Sequence, residues 1–413
     1  MGRRVVIVGA GLAGLTCARE LALRGIGSIV VEADEVVGGR VRTDVVEGFP
    51  LDRGFQVLLT AYPETVRWLD YEALDLQTFY AGALTYCDGG LHRIADPWRH
   101  PVDAVASLHG PVGSLLDKAR IAWLRVRLTR RAPEDLLALP ESTTAERLQA
   151  LGFSDSIIRT FLRPFFAGVF LDRDLVTTSR MFDFTFRMFS TGRVAVPAAG
   201  MGAIPAQLAA SLPSGSVVTG TEVASVSPAG VVTRSGETIR GDAVVVATGA
   251  VAAASLLERE APARGRSVRC VYFVADQAPT DPYTLVLNGE GGGAVNNVCV
   301  RPGLPGTEGA LVSATLLEPF PHERDASAET AREQLICWFG EGVRSWRHLR
   351  TYDVFDALPD QSVGALDPAH EQPRVRAGLY LCVDHCNAGS INGAMASGRR
   401  AAEALVADLA AAG

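Results

Sequence analysis

The sequence predicts an α/β fold: a Rossmann-like dinucleotide-binding unit at the N-terminus, interrupted by an inserted α+β domain. Three observations carry this prediction. A β-branched run leads straight into a glycine-rich turn and a helical pattern; a second strand ends in an acid at a characteristic distance from that turn; and an Asp-x-Val-Val-x-Ala-Thr-Gly segment at 242–249 reads as a later strand of the same unit.

The first strand covers Arg4 to Val8 and is followed by Gly9-Ala10-Gly11-Leu12-Ala13-Gly14. Leu15, Ala18, Leu21 and Ala22 then recur at helical spacing as far as Gly25. A second strand, Ser28 to Val31, ends in Glu32, 18 positions after the last glycine. A lone G-x-G-x-x-G is weak evidence, but here it follows a strand, opens a helix and has its acid. Gly9 permits the tight turn, Gly11 lets the backbone approach a pyrophosphate, and Gly14 lets helix and strand pack closely. The helix N-terminus turns unpaired N–H groups and a positive dipole end toward phosphates. Glu32 is placed to accept hydrogen bonds from ribose hydroxyls and would repel a 2′-phosphate, which argues against NADP. The candidate cofactor residues of this unit are Gly9, Gly11, Leu12, Ala13, Gly14, Glu32 and Ala33.

Six residues beyond Glu32 stands Gly38-Gly39-Arg40-Val41-Arg42-Thr43. With this segment the chain resembles the flavin amine oxidase and phytoene desaturase superfamily, which includes protoporphyrinogen oxidase. The resemblance implies FAD as cofactor and a two-dinucleotide-binding-domain flavoprotein fold. It places Gly39 and Arg40 along the pyrophosphate and ribityl chain, where a guanidinium supplies a fixed charge. The other reading of Arg40 is a surface arginine paired with Glu32 or Asp34. Leu51 to Gln56 looks like the family's D-x-G segment, which implies that Gly54, Phe55 and Gln56 run beside the isoalloxazine ring. Pro197 to Gly202 resembles the family's return into the flavin domain, with Ala199 at its first glycine. Val217 to Val226 and Val231 to Thr233 read as hairpin strands, and Val223 would meet the adenine through its backbone. Asp242 to Gly249 contributes Ala247 and Thr248. The C-terminal match runs from Gly378 to Asp384 and from Gly389 to Gly398. It implies that Asp384 binds the ribityl or pyrophosphate end and that the following helix, with Ile391, Asn392 and Met395, points its N-terminus at the flavin. Val383 stands where the family usually has glycine.

These matches divide the chain into a discontinuous FAD-binding domain (1–75, 196–265 and 350–413) and a substrate-binding domain (76–195 and 266–349). In the first inserted piece, Phe161, Phe165, Phe166, Phe170, Phe182, Phe184, Phe186 and Phe189 supply core packing, with some lining an apolar pocket. In the helical stretch 113–131, Leu115, Ala119, Ala122 and Val126 share one face, and Ile121, Leu124 and Leu128 make a second. Lys118 and Arg125 lie on one edge between them; Arg120, Arg127, Arg130 and Arg131 lie on the other. Either the helix is buried on two sides, or one apolar face meets a lipid surface.

Composition narrows the function. A net charge of −7 offers no basic excess for nucleic acid. No apolar run reaches the length of a membrane span. The early first strand leaves no room for a signal peptide, and seven scattered cysteines do not suggest a disulfide scaffold, so the expected location is the cytoplasm, with membrane association kept open. No His, Cys and carboxylate cluster has metal-ligand spacing, and none is expected to bind a metal. The expected partner is a hydrophobic small-molecule substrate; the oligomeric state is left open.

By the resemblance, amine oxidases place a lysine near flavin N5 and a cage aromatic in the C-terminal motif. Here Lys118 is the only lysine, and Ser390 occupies the aromatic position. Both departures favour the dehydrogenase and desaturase branches, with amine oxidation as the alternative within enzymes. Rab-escort and GDP-dissociation-inhibitor proteins share the fold without flavin, but their glycine motif is degraded. No catalytic side chain is assigned. His385 is a candidate proton acceptor, and Cys382 and Cys386 flank the same motif.

Overall fold

A computed structural model describes residues 4–107, 110–260, 263–320, 323–365, 372–384 and 388–411. Its first sheet has six strands in the order Val217–Val218, Gly27–Val31, Arg4–Val8, Ala243–Val246, Leu379–Leu381 and Arg374–Arg376. All pairings are parallel except the last. Because both faces are covered, the central strands Arg4–Val8 and Ala243–Val246 are buried apolar runs from Val5 and Ala243 onward rather than alternating. Val5, Ile7, Val30, Val245 and Tyr380 pack into one core with Leu15, Ala18 and Leu21 of the first helix (Leu12–Leu23) and Ala401 and Leu405 of the C-terminal helix (Ile391–Ala411). Val6, Val8, Val31, Val244, Val246 and Leu381 pack into the opposite core, closed by Val223 and Val231 of a three-stranded meander and by Ala253.

The first and C-terminal helices cross at a distance only small residues allow. A Cβ on Gly398 would lie 2.1 Å from the Ala13 carbonyl oxygen, and one on Gly14 would lie 2.1 Å from the Gly9 carbonyl oxygen. The glycines let helix, helix and turn meet backbone to backbone.

The second sheet has seven strands in the order Arg347–Leu358, Arg266–Ala275, Ala310–Leu317, Val295–Pro302, Leu285–Asn288, Gly82–Cys87 and Gly90–Ala95. Helix Arg324–Phe339 covers one face through Ala331, Leu335 and Trp338. The sequence returns the chain to the flavin unit at 350, whereas strand Arg347–Leu358 pairs with Arg266–Ala275 from end to end. The first sheet takes up the chain again at Arg374.

One predicted element divides. Val217 to Val226 reads as a single hairpin strand, but Val217–Val218 pairs with the second strand of the flavin unit, while Val223–Ser227 turns away to pair with Gly230–Thr233. The break falls where Gly220 adopts φ +64° and donates to the Asp34 carbonyl, and Thr221 donates to the Glu32 carbonyl. The connection is captured by the end of the second strand.

Helix Leu115–Thr129 buries Leu124 and Leu128, with Ile121 partly buried beside them. Its other apolar face is open: Leu115 is 63% and Val126 43% exposed, so burial on both sides is excluded. The helix opens with a capping box in which the Ser114 hydroxyl accepts from the Asp117 N–H. Fully buried Asp117 accepts from the N–H and hydroxyl of both Ser114 and Ser154. Burial works to raise its carboxyl, but these hydrogen bonds outweigh it and hold the pKa down at about 2, below the ordinary 3.8. A depressed carboxyl contributes stability above its unfolded value and loses it as pH falls through the folded value. Asp117→Asn should therefore cost about 2 kcal/mol at neutral pH, with the difference from wild type vanishing between about pH 4 and pH 2. Urea unfolding across that range measures it.

Candidate cofactor site

The first strand leads directly into Gly9, whose N–H donates to the Val31 carbonyl at 2.8 Å. Its φ of +106° and the 2.7 Å that would separate a Cβ from the Ala247 carbonyl oxygen restrict the position to glycine. Gly11 precedes the first helix in an extended conformation and no side chain caps the helix there. Nothing lies within 4 Å of where a Gly11 Cβ would stand. The N–H groups of Leu12, Ala13 and Gly14 precede the first intrahelical bond, from Leu15 N–H to the Gly11 carbonyl at 3.0 Å. The turn thus presents open space to a row of helix-end donors.

Glu32 is held in place by backbone. Ala10 N–H donates to its Oε2 at 2.6 Å and Asp34 N–H to its Oε1 at 3.0 Å, which leaves lone pairs for further donors. Gly38 N–H donates to the Ala10 carbonyl at 2.9 Å, and a Cβ on Gly39 would lie 3.6 Å from the Gly11 Cα, so the second glycine segment lies against the first. Ala33 is exposed beside Glu32.

Arg40 does not pair with Glu32 or Asp34; Arg42 takes Asp34, at 2.5 Å. The Arg40 fork donates from Nη1 to the Asp356 and Ala357 carbonyls, each at 3.2 Å, while Nη2 meets Asp384 Oδ2 at 2.8 Å. Burial works against its charge, but the Asp384 carboxylate outweighs this and raises the guanidinium pKa. Arg40 still exposes 37% of its side chain, against 9% for Asp384. The Gln56 amide donates to the Arg40 and Arg53 carbonyls, both at 2.9 Å, which ties the Gly54–Gln56 loop to the arginine. A Cβ on Gly54 would touch Val268 and Val354 at 3.5 Å, and Phe55 meets Phe79 edge-on.

Ala247 closes the turn from the far side, its N–H donating to the Val8 carbonyl at 2.8 Å. The next residue carries an unmet group: the Thr248 hydroxyl is buried without a hydrogen-bond partner among the described residues. Val223 follows two residues after Thr221, whose N–H binds the Glu32 carbonyl. Ile391 begins the C-terminal helix and is partly buried against the first core.

The side chains of two predicted cofactor residues are engaged within the protein. Asn392 Oδ1 accepts from Glu64 N–H at 3.0 Å, so its side chain serves helix Pro63–Trp68. Met395 is fully buried in the first core and presents no surface to the turn, because the close helix crossing turns that side of the helix inward. Cys382 is fully buried, like its neighbours from Leu379 to Val383. His385 and Cys386 lie outside the described residues. Lys118 donates from Nζ to the Ser107 carbonyl, on helix Leu115–Thr129 rather than in the Gly54 loop.

The sequence offers no local sign of a latch behind this site. Asp52 Oδ1 accepts from the Thr43 hydroxyl at 2.5 Å and from Met201 N–H at 2.8 Å, Oδ2 meets Arg301 Nη1 at 2.7 Å, and the Asp52 carbonyl accepts from the Tyr272 hydroxyl. Thr43, Asp52 and Met201 each fall inside a recognised segment, but only Arg301, far along the chain, reveals why a carboxylate is buried among them.

The residues fit an extended dinucleotide on three counts: the open space at Gly11, the unpartnered Thr248 hydroxyl and the accessible Arg40 fork. Among known proteins, the sequence profile described as "Flavin containing amine oxidoreductase" matches residues 12–406. The chain belongs to this family. FAD is its cofactor, and the family's chemistry is FAD-dependent oxidoreduction. A stretch of 69 residues is 42% identical to protoporphyrinogen oxidase 2 of Arabidopsis thaliana, covering 17% of this chain and 14% of that protein. Another of 66 residues is 44% identical to hydroxyneurosporene desaturase of Rubrivivax gelatinosus, covering 16% of this chain and 11% of that one. The matches thus span well under a fifth of each relative. A solved oxidoreductase from Methanosarcina mazei shares the fold, with a TM-score of 0.73 at 18% identity over 97% of this chain and 100% of that one.

Proposed function

We propose that this FAD-dependent oxidoreductase is of the dehydrogenase or desaturase type and oxidises a hydrophobic small molecule. Bound FAD supplies the hydride acceptor at N5. The chain's own residues hold that cofactor: the first turn and Glu32 at the ADP half, Arg40 and Asp384 at the ribityl end.

The observation that carries the substrate class is the aromatic cluster of the inserted segment. Phe166, Phe170, Phe182 and Phe184 are fully packed core, whereas Phe165, with the ring centroids of Phe161 and Phe189 5.7 and 5.0 Å away, leaves part of its surface uncovered, as do those two partners. The same cluster takes in Val57, Val268, Val354, Ala357 and Ala388, beside the Gly54 loop and the carbonyls that hold Arg40. An apolar wall of this kind binds by burial of apolar surface rather than by charge. The single lysine, engaged on another helix, gives no support to an amine-oxidase arrangement.

Anaerobic mixing of the FAD-loaded enzyme with protoporphyrinogen, hydroxyneurosporene and simple amines tests the reading. Loss of visible flavin absorbance with an apolar substrate supports it. Bleaching by amines alone, with peroxide released in air, would replace it with amine oxidation.

A further inference from the structure

The chain carries five tryptophans. Trp68, Trp338 and Trp346 are buried, but Trp98 and Trp123 are 51% and 52% exposed. Each meets an arginine of helix Leu115–Thr129: the Arg125 guanidinium lies 4.3 Å from the Trp98 ring centroid and Arg127 lies 5.1 Å from that of Trp123. Helix Pro101–Ser107 reaches the same helix at its end, where Lys118 Nζ donates to the Ser107 carbonyl. Val102 and Val105 of the shorter helix and Leu115, Leu116 and Val126 of the longer one are exposed by 80%, 62%, 63%, 58% and 43%. A run of large exposed apolar residues on adjacent elements is not ordinary surface.

Its charge is equally unlike the rest of the protein. The whole chain is at −7, yet residues 96–131 hold seven cations (Arg99, Lys118, Arg120, Arg125, Arg127, Arg130 and Arg131) against Asp96, Asp103 and Asp117. Arg99 and Arg125 pair with Asp96, and Arg120 with Asp117, so the outward charge rests on the remaining cations. Asp117 is buried inside its capping box, and Asp103 accepts from the Tyr80 hydroxyl. Arg127 stacks over Trp123 at 5.1 Å, and Arg127, Arg130 and Arg131 form no ion pair among the described residues. With Trp123 and Val126 these arginines line a surface groove of about 450 Å³, which has apolar walls and a cationic rim.

We infer that this face docks on an anionic lipid bilayer. Apolar side chains at the centre enter the acyl boundary, the tryptophans sit at headgroup level, and the arginines meet lipid phosphates. No helix among the described residues is long and apolar enough to cross a membrane, so the contact is peripheral. A second protein copy is a poorer match, because an isologous interface would bring the same unpaired arginines together.

Cosedimentation of the FAD-loaded protein with vesicles tests the inference. Binding is expected to phosphatidylcholine vesicles containing phosphatidylglycerol, to weaken as salt rises, and to be much weaker on phosphatidylcholine alone. Arg127→Ser with Arg130→Ser should reduce affinity about 25-fold, at about fivefold per cation. Leu116→Ser with Trp123→Ser should reduce it by about tenfold or more. All four positions are solvent-exposed, and unchanged flavin absorbance and circular dichroism confirm folding. The inference is overturned if wild type ignores anionic vesicles, if either pair of substitutions leaves binding intact, or if wild type is a dimer that these substitutions dissociate.

Discussion

Arg40→Ala is expected to give a folded protein that holds FAD at least about 100-fold more weakly than wild type. The side chain spans three acceptors, the Asp356 and Ala357 carbonyls and the Asp384 carboxylate, so truncation leaves a nearly buried carboxylate without its cation. Removing one member of such a pair costs about 3–5 kcal/mol, and on the proposed reading the loss falls on the cofactor site. Arg40→Lys should recover little, because a single ammonium cannot replace a planar fork that meets divergent acceptors. Titration of deflavinated protein with FAD, followed by flavin fluorescence, gives the affinities. Wild-type affinity in Arg40→Ala would remove Arg40 from the site.

The second large effect concerns the latch behind the flavin loops. Arg301→Met should destabilise the protein by about 3–5 kcal/mol, since Asp52, 2% exposed, would be left with its carboxylate buried and unpaired. Adding Asp52→Asn should restore part of that loss, because the amide carries no charge to strand. The coupling is read from chemical denaturation of the two single variants and the double variant. Strictly additive losses would show that the two side chains do not act as a pair.

Local signals carried the sequence reading furthest where function demands a particular backbone. The turn at Gly9, the close approach at Gly14 and the acid at Glu32 are each forced by nearest neighbours, and the structure puts all three where their spacing implies. The salt bridge between Arg40 and Asp384 was less legible: each residue was assigned to the same end of the cofactor, but a motif gives no distance between two segments so far apart. For Asn392 and Met395 the motif gives a position in the chain but not the direction of the side chain. A helix shows several faces, and which one meets the cofactor is set by how it crosses its neighbour, here through Gly398 against Ala13. The strand from Val217 broke at Gly220 because the end of another strand competes for its backbone groups. Arg301 could not be singled out at all, since a buried arginine in a strand reads locally as an exposed one. For helix Leu115–Thr129 the periodicity gave both apolar faces correctly, and only tertiary packing could say which is covered.

The backbone contact between Gly398 and Ala13 also decides what can be cut apart. A Cβ on Gly398 would meet the Ala13 carbonyl and the Cys17 N–H, so helix Ile391–Ala411 fills a groove along the first helix that no side chain could enter. Leu15, Ala18 and Leu21 share their core with Ala401 and Leu405 of that helix. The glycine turn and its helix are therefore not a separable module, and a fragment without Ile391–Ala411 would leave this core open to water.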